Sequence, residues 1–466
     1  VDHRQRWVLA LTSLASLMVM LDMLVVTTAL NAIRLDLHAG LAELEWTVNA
    51  YTLSFAVLLM TAAALGDRFG RRRLFVIGLA VFTVASAGCA VAPGAGLLIT
   101  GRAIQGAASA MVMPLAFSLL SAAFPPAQRG KALGLFSGVS GLATLGGPLV
   151  GGAIVQGLAW QWIFWLNVPI GLLLIPLART RIPESRGAAA RLDFGGLLLA
   201  GVGALGIVWA LVHANTDGWG TPGVLVPLIA GAVCVAGFVE WERRVPEPML
   251  PMRLFTSRAF AAGNFAGFLL YASIFGSAFF FAQFFQAGLR YSPLEAGLAL
   301  VPWTVTLSLV APIAGARMNR IGERRLLVAG MTLQAAGFGW IALVASTTTA
   351  YVSLVPPMVL AGVGVSMAMP AAQNAVIGAV PPPMIGKASG TFNTLRQLGG
   401  TFGVVILSAV FTSAGGFGSA TDFGHGFARA IAVGAGLSLA AAIVGLWIPV
   451  RSDQSVPVRR ATVEAR

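Results

Sequence analysis

Residues 65–78 read LGDRFGRRRLFVIG and residues 317–330 read RMNRIGERRLLVAG. At an offset of 252 positions, Arg68, Gly70, Arg72, Arg73, Leu74 and Gly78 match Arg320, Gly322, Arg324, Arg325, Leu326 and Gly330. The match extends outward. At an offset of 256, Gly106, Met111, Met113 and Pro114 pair with Gly362, Met367, Met369 and Pro370, and Gly130-Lys131-Ala132 pairs with Gly386-Lys387-Ala388. The same offset pairs Phe136 with Phe392. The chain therefore carries one unit twice, in parallel, the arrangement of membrane proteins built from two halves around a central site.

Around these basic stretches the chain is apolar. Of its 466 residues, 57% are hydrophobic and 10% charged, and the mean hydropathy is +0.83. A soluble domain carries about 25% charged residues. A soluble fold this poor in charge could not cover its surface, which excludes a soluble enzyme, a nucleic-acid-binding protein and a secreted disulfide scaffold. About 20 apolar residues cross a bilayer core. Fourteen such segments are predicted: 7–33, 46–66, 74–92, 96–122, 131–156, 161–178, 195–213, 223–241, 259–287, 295–317, 325–345, 350–376, 386–413 and 426–449. The fold class is thus all-α and membrane-integral. Residues 1–180 form one six-helix bundle and 259–450 the other. An inserted helix pair with its linkers occupies 181–258, and 451–466 form a tail.

The net charge of +13 resembles a nucleic-acid signal until its placement is read. An even helix count puts both termini on one side. With that side cytoplasmic, 25 of the 30 basic residues fall on inner segments, including Arg191, Arg451, Arg459, Arg460 and Arg466. Arg34, Arg290 and Arg429 fall outside, and Arg102 and Arg396 lie within helices. That asymmetry follows the positive-inside rule, so cytoplasmic termini are expected. Cys89 and Cys234 sit in apolar runs as packing residues. The first apolar run is too long for a cleavable leader, and none is expected. Only Lys131 and Lys387 are lysine, a bias that suggests a GC-rich genome.

Eight stretches in order carry a resemblance: LDMLVVTTALNAI (21–33), LGDRFGRRR (65–73), RAIQGAASA (102–110), GGPLVGG (146–152), WQWIFWLNVPIG (160–171), PEPMLPMRLF (246–255), YSPLEAGLALVP (291–302) and GKASGTFNTLRQLGG (386–400). Together they resemble the fourteen-helix drug:H+ antiporter-2 family of the major facilitator superfamily, over nearly the whole length. The resemblance implies a secondary active transporter in a bacterial plasma membrane that exports drugs in exchange for protons.

Asp22 is the first candidate residue, read as the only carboxylate deep in a membrane segment. Such a group costs several kcal/mol unless paired or protonated, so a functional role is the default. It lies 15 residues past Trp7, about 22 Å along a helix, or roughly 8 Å below the outer edge of the core. Arg102 lies six residues past Gly96, about 9 Å from the same edge. Matching depths on two helices of one half predict an interacting pair. Burial favours the neutral carboxyl and a nearby Arg favours the charged one. An Arg that moves as the halves rock would let Asp22 take a proton outside and release it inside. The resemblance also associates the motif holding Arg102 with proton coupling. The competing reading is a static pair that only fixes helix packing.

The other candidates rest partly on the resemblance. Positive-inside anchoring explains the arginines of 65–73, including Arg68, Arg71 and Arg72, but not Asp67 or Gly70. A carboxylate can dock at a helix N-terminus, and glycine allows a tight turn. The resemblance implies a gate that latches the inner side of the outward-open state. Ala63 stands where the family usually has Gly, and Asn319 replaces the Asp in the second repeat. In GGPLVGG, Gly147, Gly151 and Gly152 let backbones approach and Pro148 favours a bend; the resemblance makes this the antiporter motif. Arg396, about 15 Å deep, has no acid at its level. Backbone carbonyls, Asn393, Gln397 or an anionic substrate group are its possible partners. The run FFFAQFF (279–285), with Gln283 and Phe284, suits flat lipophilic cations, although packing is the commoner role of any one Phe. Asn49, Tyr51, Gln105 and Asn393 are further candidate walls of the substrate cavity.

No metal site, cofactor or nucleotide site is expected. GVGALG (201–206) mimics a dinucleotide motif but has no strand before it, and no GKS or GKT occurs. Protons, small drugs and the lipid bilayer are the expected partners, nucleic acid is not, and a monomer is the expected state. An intramembrane enzyme would need clustered acids, a His base or a metal. A nearer alternative keeps the fold but exports one dedicated antibiotic, metabolite or lipid. With one deep acid, and only Glu295 at the edge of 295–317, monocations should be exported better than dications.

Overall fold

The computed structural model describes residues 2–187, 192–381 and 384–450. Arg191 and the tail 451–466, with Arg451, Arg459, Arg460 and Arg466, lie outside the described residues. The first half holds α1 (His3–Asp36), α2 (Leu41–Phe69), α3 (Arg71–Ala90), α4 (Ala95–Ala123) and α5 (Pro126–Gly157). It closes with α6 (Trp162–Arg181). Then come α7 (Phe194–Asp217) and α8 (Pro222–Arg244). The second half begins with α9 (Arg258–Gly288). Next is α10, which runs as Pro293–Ala299 and, past Leu300, as Val301–Ile321. It ends with α11 (Glu323–Val344), α12 (Tyr351–Gly378), α13 (Ile385–Ala414) and α14 (Ala420–Gly445).

Thirteen helices among the described residues are long and apolar enough to cross a membrane. The remaining predicted segment, 131–156, is helical within the 32 residues of α5; several of its side chains lie outside the described residues. Leu343, Val352 and Val84 are more than 70% exposed within their helices. Apolar surface of that kind faces lipid, where helices satisfy their own backbone groups. The chain is a multi-pass membrane protein.

Within the first half α2 packs on α4, α3 on α4, and α1 on α5. The second half repeats the scheme, with α10 on α12, α11 on α12 and α9 on α13. The inserted helices pair with each other. Among the described residues α7 lies against α2 and α13, and α8 is mostly exposed. The repeated basic stretches form matching turns: Gly70 and Gly322 have φ +114° and +88°, values that glycine adopts without strain.

The two halves meet most closely at the end remote from the chain termini. There Gln286, in a π-helical turn of α9, donates to the Thr28 carbonyl of α1 at 2.9 Å. The Leu294 backbone N–H donates to Gln156 Oε1 at 3.2 Å. A methyl group at Gly152 would collide with the Pro293 carbonyl, and one at Gly297 with that of Pro148. Toward the opposite end a Cβ at Gly134 or Gly138 of α5, or at Gly315 of α10, would meet open space. Glu295, at the edge of its predicted segment, is an exposed capping residue. The Ser292 N–H donates to its carboxylate at 2.8 Å, and its own N–H donates to Ser292 Oγ at 3.3 Å.

Candidate functional site

Asp22 projects from the middle of α1 and Arg102 from the second turn of α4, and they meet inside the first half. Both side chains are 1% exposed, and Arg102 Nη1 donates to Asp22 Oδ2 at 2.5 Å. The approach depends on how tightly α4 lies on its neighbours. A side chain at Gly106 would run into the Tyr51 carbonyl of α2, and one at Gly101 into Cys89 of α3.

The pair is held on every side. Arg102 Nε donates to the Thr47 carbonyl at 3.2 Å and Nη1 to Gln105 Oε1 at 2.8 Å. Its guanidinium stacks 4.3 Å from the Tyr51 ring. On Asp22 Oδ1 converge Asn167 Nδ2 of α6 at 2.7 Å and Gln105 Nε2 at 3.2 Å. Gln105 also donates to Ser86 Oγ of α3 at 2.8 Å. Buried charges persist only when both Coulomb pairing and hydrogen bonding are complete, and here both carboxylate oxygens have donors. Five helices supply the shell, so any motion of one against another changes the charge environment of Asp22.

Asn167 and Ser86 were not among the sequence candidates. Asn167 stands in an otherwise apolar stretch, WLNVPIG (165–171), where an amide needs a buried partner; that was the available signal. Ser86 gave none. Tyr51 and Gln105, considered as cavity walls, belong instead to the shell of the ion pair and are fully buried. Tyr51 shares a hydrogen bond with Ser109 at 2.7 Å. Asn49, Gln283 and Phe284 are also fully buried. Gln283 donates to the Phe279 carbonyl at 2.8 Å, and Phe284 stacks on Phe427 with ring centres 4.0 Å apart.

Asn393 donates back to the Ser389 carbonyl at 2.9 Å. Arg396 is half-buried with its guanidinium 4.9 Å from the Tyr271 ring. Among the described residues it makes no hydrogen bond to Asn393 or Gln397, and its Nε has no partner.

The basic stretch after α2 is tied to its own half. Asp67 Oδ1 accepts from Arg71 Nε at 2.6 Å. The carboxylate at a helix N-terminus is Glu184, not Asp67: it accepts the N–H groups of Arg72 and Arg73, the first residues of α3, at 2.9 and 3.2 Å. Arg72 also donates to the Arg179 and Ile182 carbonyls, each at 3.2 Å. Gly70 leaves room for Glu184, since a Cβ there would fall 2.9 Å from its carboxyl carbon. Arg68 lies over Phe69, and the Asn319 side chain is outside the described residues. In GGPLVGG, Gly147 and Gly151 press on Leu24 and Thr28 of α1, while Pro148 and Gly152 touch α10.

Asp22 is not the only buried acid among the described residues: Glu45, on the first turns of α2, is 4% exposed, Glu242 2% and Glu323 7%. Glu45 stands one position before the apolar run 46–66, outside the predicted segment, and helix packing buries it. Among the described residues no group of three His, Cys, Asp or Glu could hold a metal ion.

The sequence pattern of the Major Facilitator Superfamily matches residues 12–404 and, in an overlapping second match, 263–463. A tetracenomycin C resistance and export protein of Streptomyces glaucescens is 35% identical over 85% of this chain and 74% of its own. A puromycin resistance protein of Streptomyces alboniger is 34% identical over 97% and 92%. A multidrug resistance protein of Mycobacterium tuberculosis is 32% identical over 89% and 77%. Among solved structures, a POT family transporter bound to a thioalcohol-conjugated peptide aligns with a TM-score of 0.72 over 94% of each chain, at 12% identity, a likeness of fold. The chain belongs to the Major Facilitator Superfamily and is a transporter of that family.

Proposed function

We propose that the protein is a proton-coupled antiporter of a bacterial plasma membrane that exports small amphipathic drugs, cationic or lipophilic, by alternating access. The two six-helix units, 1–180 and 259–450, rock against each other, and the inserted pair in 181–258 rides outside them. The distribution of arginine argues for cytoplasmic termini and fourteen spans.

The observation that carries the reading is the Asp22–Arg102 pair, 1% exposed, with donors from α4 and α6 on the carboxylate. An intramembrane ionised pair is costly and marks a coupling or substrate path. Arg102 is paired with Asp22 in the conformation described. Helix shifts within the first half that accompany rocking part the two and let the carboxyl exchange its proton. Drug moves outward in the same cycle. The relatives named above, resistance and export proteins, support drugs as the cargo. Two of them are named for a single antibiotic each, which favours a dedicated exporter as the second reading.

Ethidium accumulation in everted vesicles tests the proposal. With an acid interior the wild type accumulates dye, and collapse of the gradient stops it. Asp22→Asn does not respond to the gradient. Gradient-driven accumulation by Asp22→Asn would remove the coupling role. Failure of ethidium beside gradient-driven accumulation of puromycin would favour the dedicated exporter.

A further inference from the structure

Glu45, Asn49 and Thr52 recur at i, i+4 and i+7 on α2 and therefore share one face of that helix. Gln397, Thr401 and Ser408, at i, i+4 and i+11, share one face of α13. The two faces meet across the halves: Thr52 Oγ1 and Thr401 Oγ1 are 2.7 Å apart. Ser408 is the polar neighbour of Glu45 across that seam. The stripe is almost sealed. Asn49 and Thr401 are 0% exposed, Ser408 1%, Gln397 2% and Glu45 4%.

The stripe is also unsatisfied. Glu45 Oε2, both amide atoms of Asn49, Ser408 Oγ and Gln397 Oε1 are buried without a hydrogen-bond partner. Buried polar atoms are nearly always paired, and an orphan costs about 1–3 kcal/mol. Of the five orphans in this seam, Asn49 Nδ2 and Ser408 Oγ carry hydrogens of their own, and Glu45 alone brings a formal charge into it.

Among the described residues no cation balances that charge, and Glu45 forms no salt bridge. Arg102 and Asp22 are committed to each other on the opposite face of α2, where Arg102 reaches the Thr47 carbonyl. Of the other groups on helices around α2, Tyr51 is bonded to Ser109, Cys89 lies beside Gln105, and His213 of α7 stacks on Trp209. On α13, Lys387 donates to the Pro248 carbonyl and Arg396 lies over Tyr271. On α1, Arg34 lies over Phe417. On α2 itself, Glu43 accepts from the Gly40 N–H and Asp67 pairs with Arg71 at the far end.

We propose that Glu45 is a second proton-carrying carboxyl, set in the α2–α13 seam and distinct from Asp22. A proton is the smallest occupant that meets the need. Bound to Glu45 it turns a carboxylate into a carboxyl whose O–H donates to Ser408 or Asn49, and the only change is the gain of H+. The Thr52–Thr401 bond lies seven residues further along α2, about 10 Å, and closes the seam on that side. Glu45 thus exchanges its proton with the remote end of the bundle when the halves part there. Its place in transport rests on the antiport reading above, whereas its protonation does not. With Glu45 as a second proton carrier beside Asp22, the single-acid ground for preferring monocations over dications falls away.

Infrared difference spectra of the full-length protein reconstituted in liposomes, stepped from neutral to alkaline pH, test this directly. The wild type shows the carbonyl stretch of a protonated carboxyl at neutral pH. Glu45→Gln, nearly isosteric, loses that band, Ser408→Ala shifts its frequency, and Asp22→Asn retains it. A wild type without the band, or a band that survives in Glu45→Gln, overturns the proposal. Loss of the band in Asp22→Asn alone would assign the proton to Asp22 instead, also against it. None of these readings depends on drug transport, so a failed dye assay and a failed proton assignment remain distinguishable.

Discussion

Asp22 of α1 and Arg102 of α4 stand 80 residues apart in the chain and 2.5 Å apart in space, and their side-chain hydrogen bonds among the described residues stay within the first half. The proposed coupling device is thus internal to one bundle. Removing one partner of a buried pair leaves an uncompensated charge, which costs about 3–5 kcal/mol. Arg102→Ala should therefore unfold earlier than wild type in detergent and fail to export. Asp22→Asn combined with Arg102→Gln should recover most of that stability and none of the gradient-driven transport. Thermal unfolding and vesicle transport on the same preparations check both statements.

Asn167 donates to Asp22 Oδ1 at 2.7 Å. In Asn167→Leu that oxygen keeps only Gln105 Nε2, at 3.2 Å, and an underpaired buried polar group costs about 1–3 kcal/mol. The variant should unfold earlier than wild type in detergent and export more slowly. Thermal unfolding and initial export rates measure it, and unchanged values would deny Asn167 any part in holding the pair.

Gly106 sits where α4 crosses α2, with no room for a methyl group beside the Tyr51 carbonyl and Ser54. Overpacking of such a contact costs about 1–3 kcal/mol. Gly106→Val should lower the unfolding temperature and abolish export by displacing Arg102. Gly436, which faces open space on α14, is the control: Gly436→Ala should leave both unchanged.

The contact between the halves can be trapped. Gln156 and Leu294 lie on opposite halves and share a hydrogen bond of 3.2 Å. Cysteines at both positions, in a Cys234→Ser background, should be joined by a short thiol cross-linker. Cross-linked protein should lose transport, and cleavage of the linker should restore it. Full activity after complete cross-linking would show that these ends never part.

Much of this architecture is legible in the chain, because membrane helices announce themselves by length and apolarity and the duplicated turns at Gly70 and Gly322 by their own residues. The Asp22–Arg102 contact follows from depth arithmetic alone. What escapes is burial created by partners. Glu45 lies just outside its predicted segment until α13 covers it, and the lone Asn167 of WLNVPIG has no partner in view until α6 turns it toward α1. Glu184 could not be identified as the anchor of α3, since its helix-capping role depends on the chain folding back after α6 to meet Arg72 and Arg73.

Proton flux through Asp22 is the central claim. In proteoliposomes with purified protein and a trapped pH indicator, an ethidium gradient imposed without any pH gradient should drive protons the opposite way in the wild type. Asp22→Asn should move dye without moving protons. Opposed proton flux of wild-type size in Asp22→Asn would contradict the account.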